Sequence, residues 1–106
     1  MYDIHYLCNI DEYLDQASDI EARKIVKNIK YLQEYGVRPE IRDIKKLRGY
    51  DFWEVRIKGK DNTRIFCTQR DNNVYILHVF KKKSNKTPTK DLNIGQKQLK
   101  LIDRYI

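Results

Sequence analysis

The chain has 106 residues and a formal net charge of +7, which suits one domain and favours polyanions such as nucleic acid, a ribonucleoprotein or an acidic protein partner. Its 41% hydrophobic and 35% charged residues would allow disorder, but one Trp, three Phe and eight Tyr argue for a folded core. Cys8 and Cys67 have no C-x-x-C spacing and no companion His/Cys cluster, which argues against a disulfide framework or a zinc site and for two buried thiols in a reducing compartment.

No apolar run approaches the ~18 residues that a membrane span needs. The start, Met-Tyr-Asp-Ile-His, lacks the charged and apolar regions of a secretion signal. A single cytoplasmic domain over residues 1–106, without membrane association, is the expectation.

Residues Tyr2 to Leu7 alternate weakly and predict a first strand. Asn9 or Asp11 can cap a short helix carrying Tyr13, Leu14 and Ala17. Ser18 restarts the chain with Glu21 three residues on, the spacing of a capping box. From Ile20 to Tyr35, Ile25, Ile29 and Leu32 form one helical stripe with Ala22 and Val26 beside it. Gly36 and Pro39 end that helix. Arg23, Lys24, Lys27 and Lys30 fall largely on the opposite side and read as a solvated face.

Ile41, Ile44 and Leu47 suggest one short turn leading to Arg48-Gly49. Three strand-like runs follow: Phe52 to Lys58, Thr63 to Gln69 and Val74 to Lys81. The connections Gly59-Lys60-Asp61-Asn62 and Asp71-Asn72-Asn73 are rich in turn formers, which predicts an antiparallel meander. In the tail, Thr87 can cap a helix with Pro88 at its first position. Leu92, Leu99, Ile102 and Ile106 give approximate helical spacing. Gly95 weakens that helix by about 1 kcal/mol relative to alanine, so the tail reads as mobile or dependent on a partner. The order β-α-α-β-β-β-α indicates an α+β fold: a mostly antiparallel sheet packed against an N-terminal helical pair, with a C-terminal helix.

Strand parity separates two faces. Trp53, Val55 and Ile57, with Ile65 and Cys67, should pack on the helices. Glu54, Arg56, Lys58, Arg64 and Arg70 share the other face with Phe66. Arginines beside an aromatic ring suit a phosphate-and-base surface, because guanidinium groups bind phosphate in a fork and rings stack on unpaired bases. The same pattern also describes the wet face of any antiparallel sheet. The third strand leads into Lys81, Lys82, Lys83 and Lys86, either an anion-binding patch or a guard against edge pairing. His78 shares parity with Phe80 and Lys82, and is either an acid/base group or a hydrogen-bonded sheet residue.

No Gly-rich phosphate loop, HExxH motif or suggestive carboxylate pair occurs. RNA can be cut without such machinery, because its own 2′-hydroxyl can attack the adjacent phosphate. The protein then has to orient that hydroxyl, stabilise the added charge and protonate the leaving oxygen.

Three segments carry a resemblance. They are Leu47-Arg48-Gly49-Tyr50-Asp51-Phe52-Trp53-Glu54-Val55-Arg56, Thr63-Arg64-Ile65-Phe66, and Leu77 through Pro88. In this order they resemble the HigB-like, phage-derived branch of the RelE/ParE toxin superfamily, and the upstream helical pair also fits. The resemblance implies the toxin of a type II toxin–antitoxin pair, usually a ribosome-dependent mRNA endonuclease that inhibits translation. It implies no metal cofactor, and a small antitoxin, often with a helix-turn-helix domain. Carried over by position, Arg64 matches the arginine near the scissile phosphate, Arg56 the arginine closing the preceding strand, and Lys82 and Lys83 the basic pair after the last strand. Glu54 matches the acid of the W-E-x-R segment. The resemblance thus implies catalysis by Arg56, Arg64, Lys82 or Lys83, with His78 and Glu54 as acid/base or orienting groups. Lys58, Arg70, Lys81, Lys86 and Phe66 would contact RNA. Two alternatives keep the charge pattern: a non-catalytic RNA- or ribosome-binding module, and a gyrase-directed toxin of the same fold.

Overall fold

The computed structural model describes residues 1–38, 40 and 43–106. Pro39 and Ile41, which the sequence reading assigned to a helix break and a turn, lie outside the described residues. The element order is β1 (Asp3–Tyr6), α1 (Ile10–Gln16), α2 (Asp19–Tyr35), β2 (Ile44–Lys46), β3 (Trp53–Arg56), β4 (Thr63–Arg70), β5 (Asn73–Lys81) and α3 (Thr89–Tyr105). The α+β order expected from the sequence is present, with one addition. Ile44 to Lys46 form an edge strand instead of a turn, antiparallel to β3 with Ile44 opposite Val55 and Lys45 opposite Glu54. The strands are ordered β1-β5-β4-β3-β2. The pair β1–β5 is parallel; β2, β3, β4 and β5 form an antiparallel run.

Local chemistry sets the helix ends. The Asn9 side chain accepts the Glu12 N–H and caps α1; the Ser18 side chain accepts the Glu21 N–H and caps α2. Only half of a capping box forms, since Glu21 is buried and its Oε2 has no hydrogen-bond partner. Gly36 closes α2 at φ +75°, donating its N–H to the Leu32 carbonyl. A Cβ there would meet Gln69 Oε1 and the Tyr2 ring at 2.7 and 2.8 Å, so this position needs glycine for both its backbone and its space.

Alternation divides the core as predicted on one side. Val55, Ile57, Ile65, Cys67, Val74 and Ile76 pack against Ile25, Ile29 and Leu32 of α2, with Trp53 at the margin. Burial pushes the Cys67 thiol up to about 12 and that of Cys8 up to about 11, so both stay protonated at neutral pH and act as small apolar groups.

The other side corrects the sequence reading. It is not a wet face but a second core, in which Phe52, Phe66, Tyr75, Leu77 and Phe80 pack with Leu99 and Ile102 of α3. Phe66 is fully buried and offers no ring to a nucleic-acid base. Gly95 is the reason that α3 can seat so closely: a Cβ there would stand 2.9 Å from both Phe52 and Phe66. The glycine therefore gives the helix its approach to the sheet, where the sequence alone showed only a weak point. The predicted Thr87 cap also differs. The helix begins after Pro88 without a side-chain cap, and Thr87 donates its hydroxyl to Glu54 instead, at 3.1 Å. One register shift interrupts the β4–β5 ladder: Phe66 faces His78 while Cys67 faces Ile76, leaving Leu77 as the extra residue of a bulge.

Gly95→Ala should destabilise the protein by about 1–3 kcal/mol in urea unfolding, because overpacking against two fixed rings outweighs the gain in helix propensity. Unchanged or raised stability would show that the rings yield. Cys67 should resist iodoacetamide at pH 8 in the native protein and react only in denaturant; prompt native modification, read by mass spectrometry, would contradict its burial.

Candidate functional site: a cationic cleft at the open end of the sheet

Helix α3 covers one end of its sheet face and leaves the other end open. There, register places Arg56 opposite Arg64 and Arg64 opposite Phe80. One step along, Lys45 stands opposite Glu54 and Glu54 opposite Phe66. The result is a cleft of about 310 Å³ lined by Asp43, Ile44, Lys45, Glu54, Arg56, Arg64 and Lys82. Four cations thus share it with two carboxylates.

The floor is a buried ion pair. Arg64 Nε lies 3.6 Å from Glu54 Oε1, with side-chain exposures of 8% and 3%. The pair is close enough for charge neutralisation but is not a hydrogen bond, and Arg64 Nε has no hydrogen-bond partner. The other end of the guanidinium is anchored: Nη1 donates to Asn62 Oδ1 at 2.9 Å and to the Thr63 carbonyl at 3.3 Å. Asn62, at φ +56° in the β3–β4 turn, also donates its side-chain amide to the Lys82 carbonyl, while its own carbonyl accepts the Lys82 N–H. One turn residue therefore fixes both Arg64 and the strand exit bearing Lys82. Glu54 is held from the far side by Thr87, with Lys45 Nζ at 4.0 Å from its Oε1. Arg56 is exposed at the rim.

The sequence candidates divide. Glu54, Arg56, Arg64 and Lys82 meet in the cleft. Lys81 and Lys83 point the other way, lining a hollow beside Tyr13, Ser18 and Glu21, where Lys81 Nζ is 3.6 Å from Asp61. The run of lysines is therefore not one patch, because consecutive residues of an extended chain alternate sides. Lys58 pairs with Asp43 at 3.7 Å, outside the cleft. Arg70 is six residues further along β4, about 20 Å from Arg64, and ties Asp51 and Asp103 together at 3.2 and 3.3 Å. That contact pins α3 to the sheet. Lys86 is exposed and its carbonyl accepts the Ser84 hydroxyl; it does not line the cleft. His78 lies two strands from Glu54, with the buried Phe66 between them. Its Nε2 is 2.7 Å from Asp91 Oδ1 in the first turn of α3, and its ring stacks on Phe80 at 5.2 Å.

Sequence reasoning missed Lys45, Asn62, Thr87 and Asp91. Lys45 was hidden because β2 was read as a turn. Asn62 looked like ordinary turn chemistry. Thr87 looked like a helix cap.

The family model described as phage-derived protein Gp49-like matches residues 12–100. The chain belongs to this family. Among solved structures, its fold is similar to that in the E. coli RelBE toxin–antitoxin complex, at 16% identity and TM-score 0.61, over 79% of this chain and 100% of that one. It is also similar to the Pyrococcus horikoshii RelE–RelB complex, at 20% identity and TM-score 0.62, over 80% and 98%. A doubly substituted E. coli RelE in the free state matches over 95% and 97%, at 16% identity and TM-score 0.62. A comparison with proteins of curated function finds no match. This Gp49-like chain thus has a RelE-type fold, and no helix of the described residues is long and apolar enough to cross a membrane.

Removing one partner of the Glu54–Arg64 pair strands a buried charge. Glu54→Ala should cost roughly 3–5 kcal/mol, and Glu54→Ala with Arg64→Leu should recover much of that loss. Additive losses in a double-mutant cycle of chemical denaturation would mean that the two side chains are not coupled.

Proposed function

We propose that this chain is the toxin of a type II toxin–antitoxin pair, of the HigB-like branch, and acts as a ribosome-dependent, metal-independent endonuclease on mRNA. The observation that carries the reading is Arg64. It is a buried guanidinium, anchored by Asn62 and ion-paired to Glu54, at the floor of a cleft that Arg56, Lys45 and Lys82 make cationic. The cleft carries four cations against two carboxylates and so favours an anion. A phosphate also suits the flanking cations in number and sign.

In the proposed reaction the 2′-oxygen of the RNA attacks the adjacent phosphorus and the bond to the 5′-oxygen breaks. The products are a 2′,3′-cyclic phosphate and a 5′-hydroxyl. Arg56 and Arg64 hold the phosphate and the charge that develops on it. Lys82 gives a proton to the departing 5′-oxygen, Glu54 orients Arg64, and the 2′-hydroxyl proton is released to solvent. Lys83 and His78 stand outside this arrangement; His78, held by Asp91, remains the reserve acid/base group.

The antitoxin is proposed to be a small helix-turn-helix protein encoded alongside. The structural relatives from E. coli and P. horikoshii are toxin–antitoxin complexes, which supports a cognate antitoxin as partner.

Induced expression with mapping of mRNA 5′ ends tests the reaction. Wild type should produce new ends within translated messages and arrest growth, while Arg64→Ala should reduce cleavage by at least ~100-fold, as expected for loss of a transition-state charge contact. Arg56→Ala, at the exposed rim and outside the buried pair, should also reduce it without loss of stability. Arrest with intact mRNA would sink the nuclease reading in favour of a binding module. Arrest with DNA breaks would point to gyrase.

A further inference from the structure

A second groove, of about 270 Å³, adjoins the cleft. It is lined by Lys24, Lys27, Asn28 and Tyr31 of α2 and by Asp43, Arg56, Ile57 and Lys58. Arg56 and Asp43 also line the cleft, so the two hollows share a wall. Lys24, Lys27, Asn28 and Tyr31 are spaced at i, i+3, i+4 and i+7, which aligns them as one stripe on the helix. The stripe is about 10 Å long. Its cationic end stands beside Lys58, where Lys24 Nζ donates to the Lys58 carbonyl at 2.9 Å. Its other end is aromatic: Tyr31 is 47% exposed, and its ring lies 4.6 Å from that of the exposed Tyr35. Four cations thus line a groove holding one acid, Asp43, which Lys58 already pairs.

The bland account of the α2 lysines is a solvated helix face. It suffices for Arg23 and Lys30, which flank the apolar hollow of Leu14, Ala22 and Val26 together with Lys27. It does not account for Lys24, which turns away from that hollow toward Lys58, or for Lys27, which lies between the two hollows and also lines the groove with Arg56. Cations along a groove that ends on an exposed ring are the two components of sequence-tolerant single-strand binding: phosphate neutralisation and base stacking.

We propose that this groove is an RNA subsite, in which the backbone of a strand continuing from the cleft passes Arg56 to Lys58, Lys24 and Lys27, and one base stacks on Tyr31. The proposal rests on the reading of the cleft as an RNA site. It assigns the groove to RNA backbone and base, whether the strand is the message itself or ribosomal RNA.

The test uses the full chain and a 12-nucleotide 2′-O-methyl RNA, which cannot be cleaved through its 2′-oxygen, alongside mRNA-programmed ribosomes. Four proteins are compared: wild type, Lys24→Gln/Lys27→Gln, Tyr31→Ala and Arg64→Ala. Tyr31→Ala should weaken oligonucleotide binding about 10-fold, within the range for loss of one stacked base. The double lysine variant should weaken it at least as much and lower the log–log salt slope by about 1.4, which is two contacts on a single strand. Losses seen only with ribosomes would support the subsite and assign its strand to ribosomal RNA. Wild-type affinity in both groove variants, with Arg64→Ala weakened, would overturn the subsite and leave the cleft reading standing. If wild type binds neither ligand, both readings fall together. Lys27 is exposed and makes no contact among the described hydrogen bonds and ion pairs, so Lys27→Gln alone serves should the double variant misfold, with half the slope change expected.

Discussion

The close seating of α3 on the sheet governs much else in this molecule. The sheet has two apolar faces, and both must be covered. The N-terminal helices cover one. The other depends on a single helix that approaches closely only because Gly95 carries no side chain against Phe52 and Phe66. Once α3 is seated, its length decides what stays open. Its first turn ends beside His78 and Glu54, through Asp91 and Thr87, and the sheet beyond is uncovered. The cleft is therefore the part of the second face that α3 does not reach.

This placement explains the odd electrostatics of the floor. A carboxylate and a guanidinium buried together usually satisfy each other by direct hydrogen bonds. Here backbone register fixes Glu54 and Arg64 on neighbouring strands but not directly opposite each other, since Arg64 faces Arg56 and Glu54 faces Phe66. Asn62 then pulls the guanidinium toward the turn, while Thr87 holds the carboxylate toward α3. The two charges neutralise each other across 3.6 Å without closing on each other. An arginine so held is preorganised: it has lost its rotamer freedom before any ligand arrives.

Much of this was legible in the residues. Period-two alternation from Trp53 to Ile57 gave the correct inner face, and Ser18 and Gly36 marked the ends of α2. Glu54, Arg56, Arg64 and Lys82 could be named from parity and resemblance. What failed did so for identifiable reasons. Composition does not reveal that a sheet face is covered by a distant helix, so Phe66 looked available when it was core. Gly95 carries a propensity cost in sequence and a packing benefit only in three dimensions. Lys81 to Lys83 read as one cluster because charge counting ignores which way each side chain turns. The α2 lysines read as one face because helical periodicity alone does not say which neighbour each edge of that face meets.

The bulge at Leu77 carries a lesson for comparing this chain with its relatives. Up to it, odd-numbered residues Tyr75 and Leu77 lie on the sheet face that carries α3; beyond it, even-numbered Phe80 and Lys82 lie on that face, Phe80 in the core and Lys82 in the cleft. The strand thus changes phase, and the extra residue is absorbed without disturbing either neighbour. A relative with a regular strand would present the same faces with one residue fewer. An alignment anchored on the first strand and one anchored on the basic exit would then disagree by one position, and the gap belongs between Ile76 and His78. Placed beyond Lys82, it would equate Lys82 with a residue on the wrong side of the sheet.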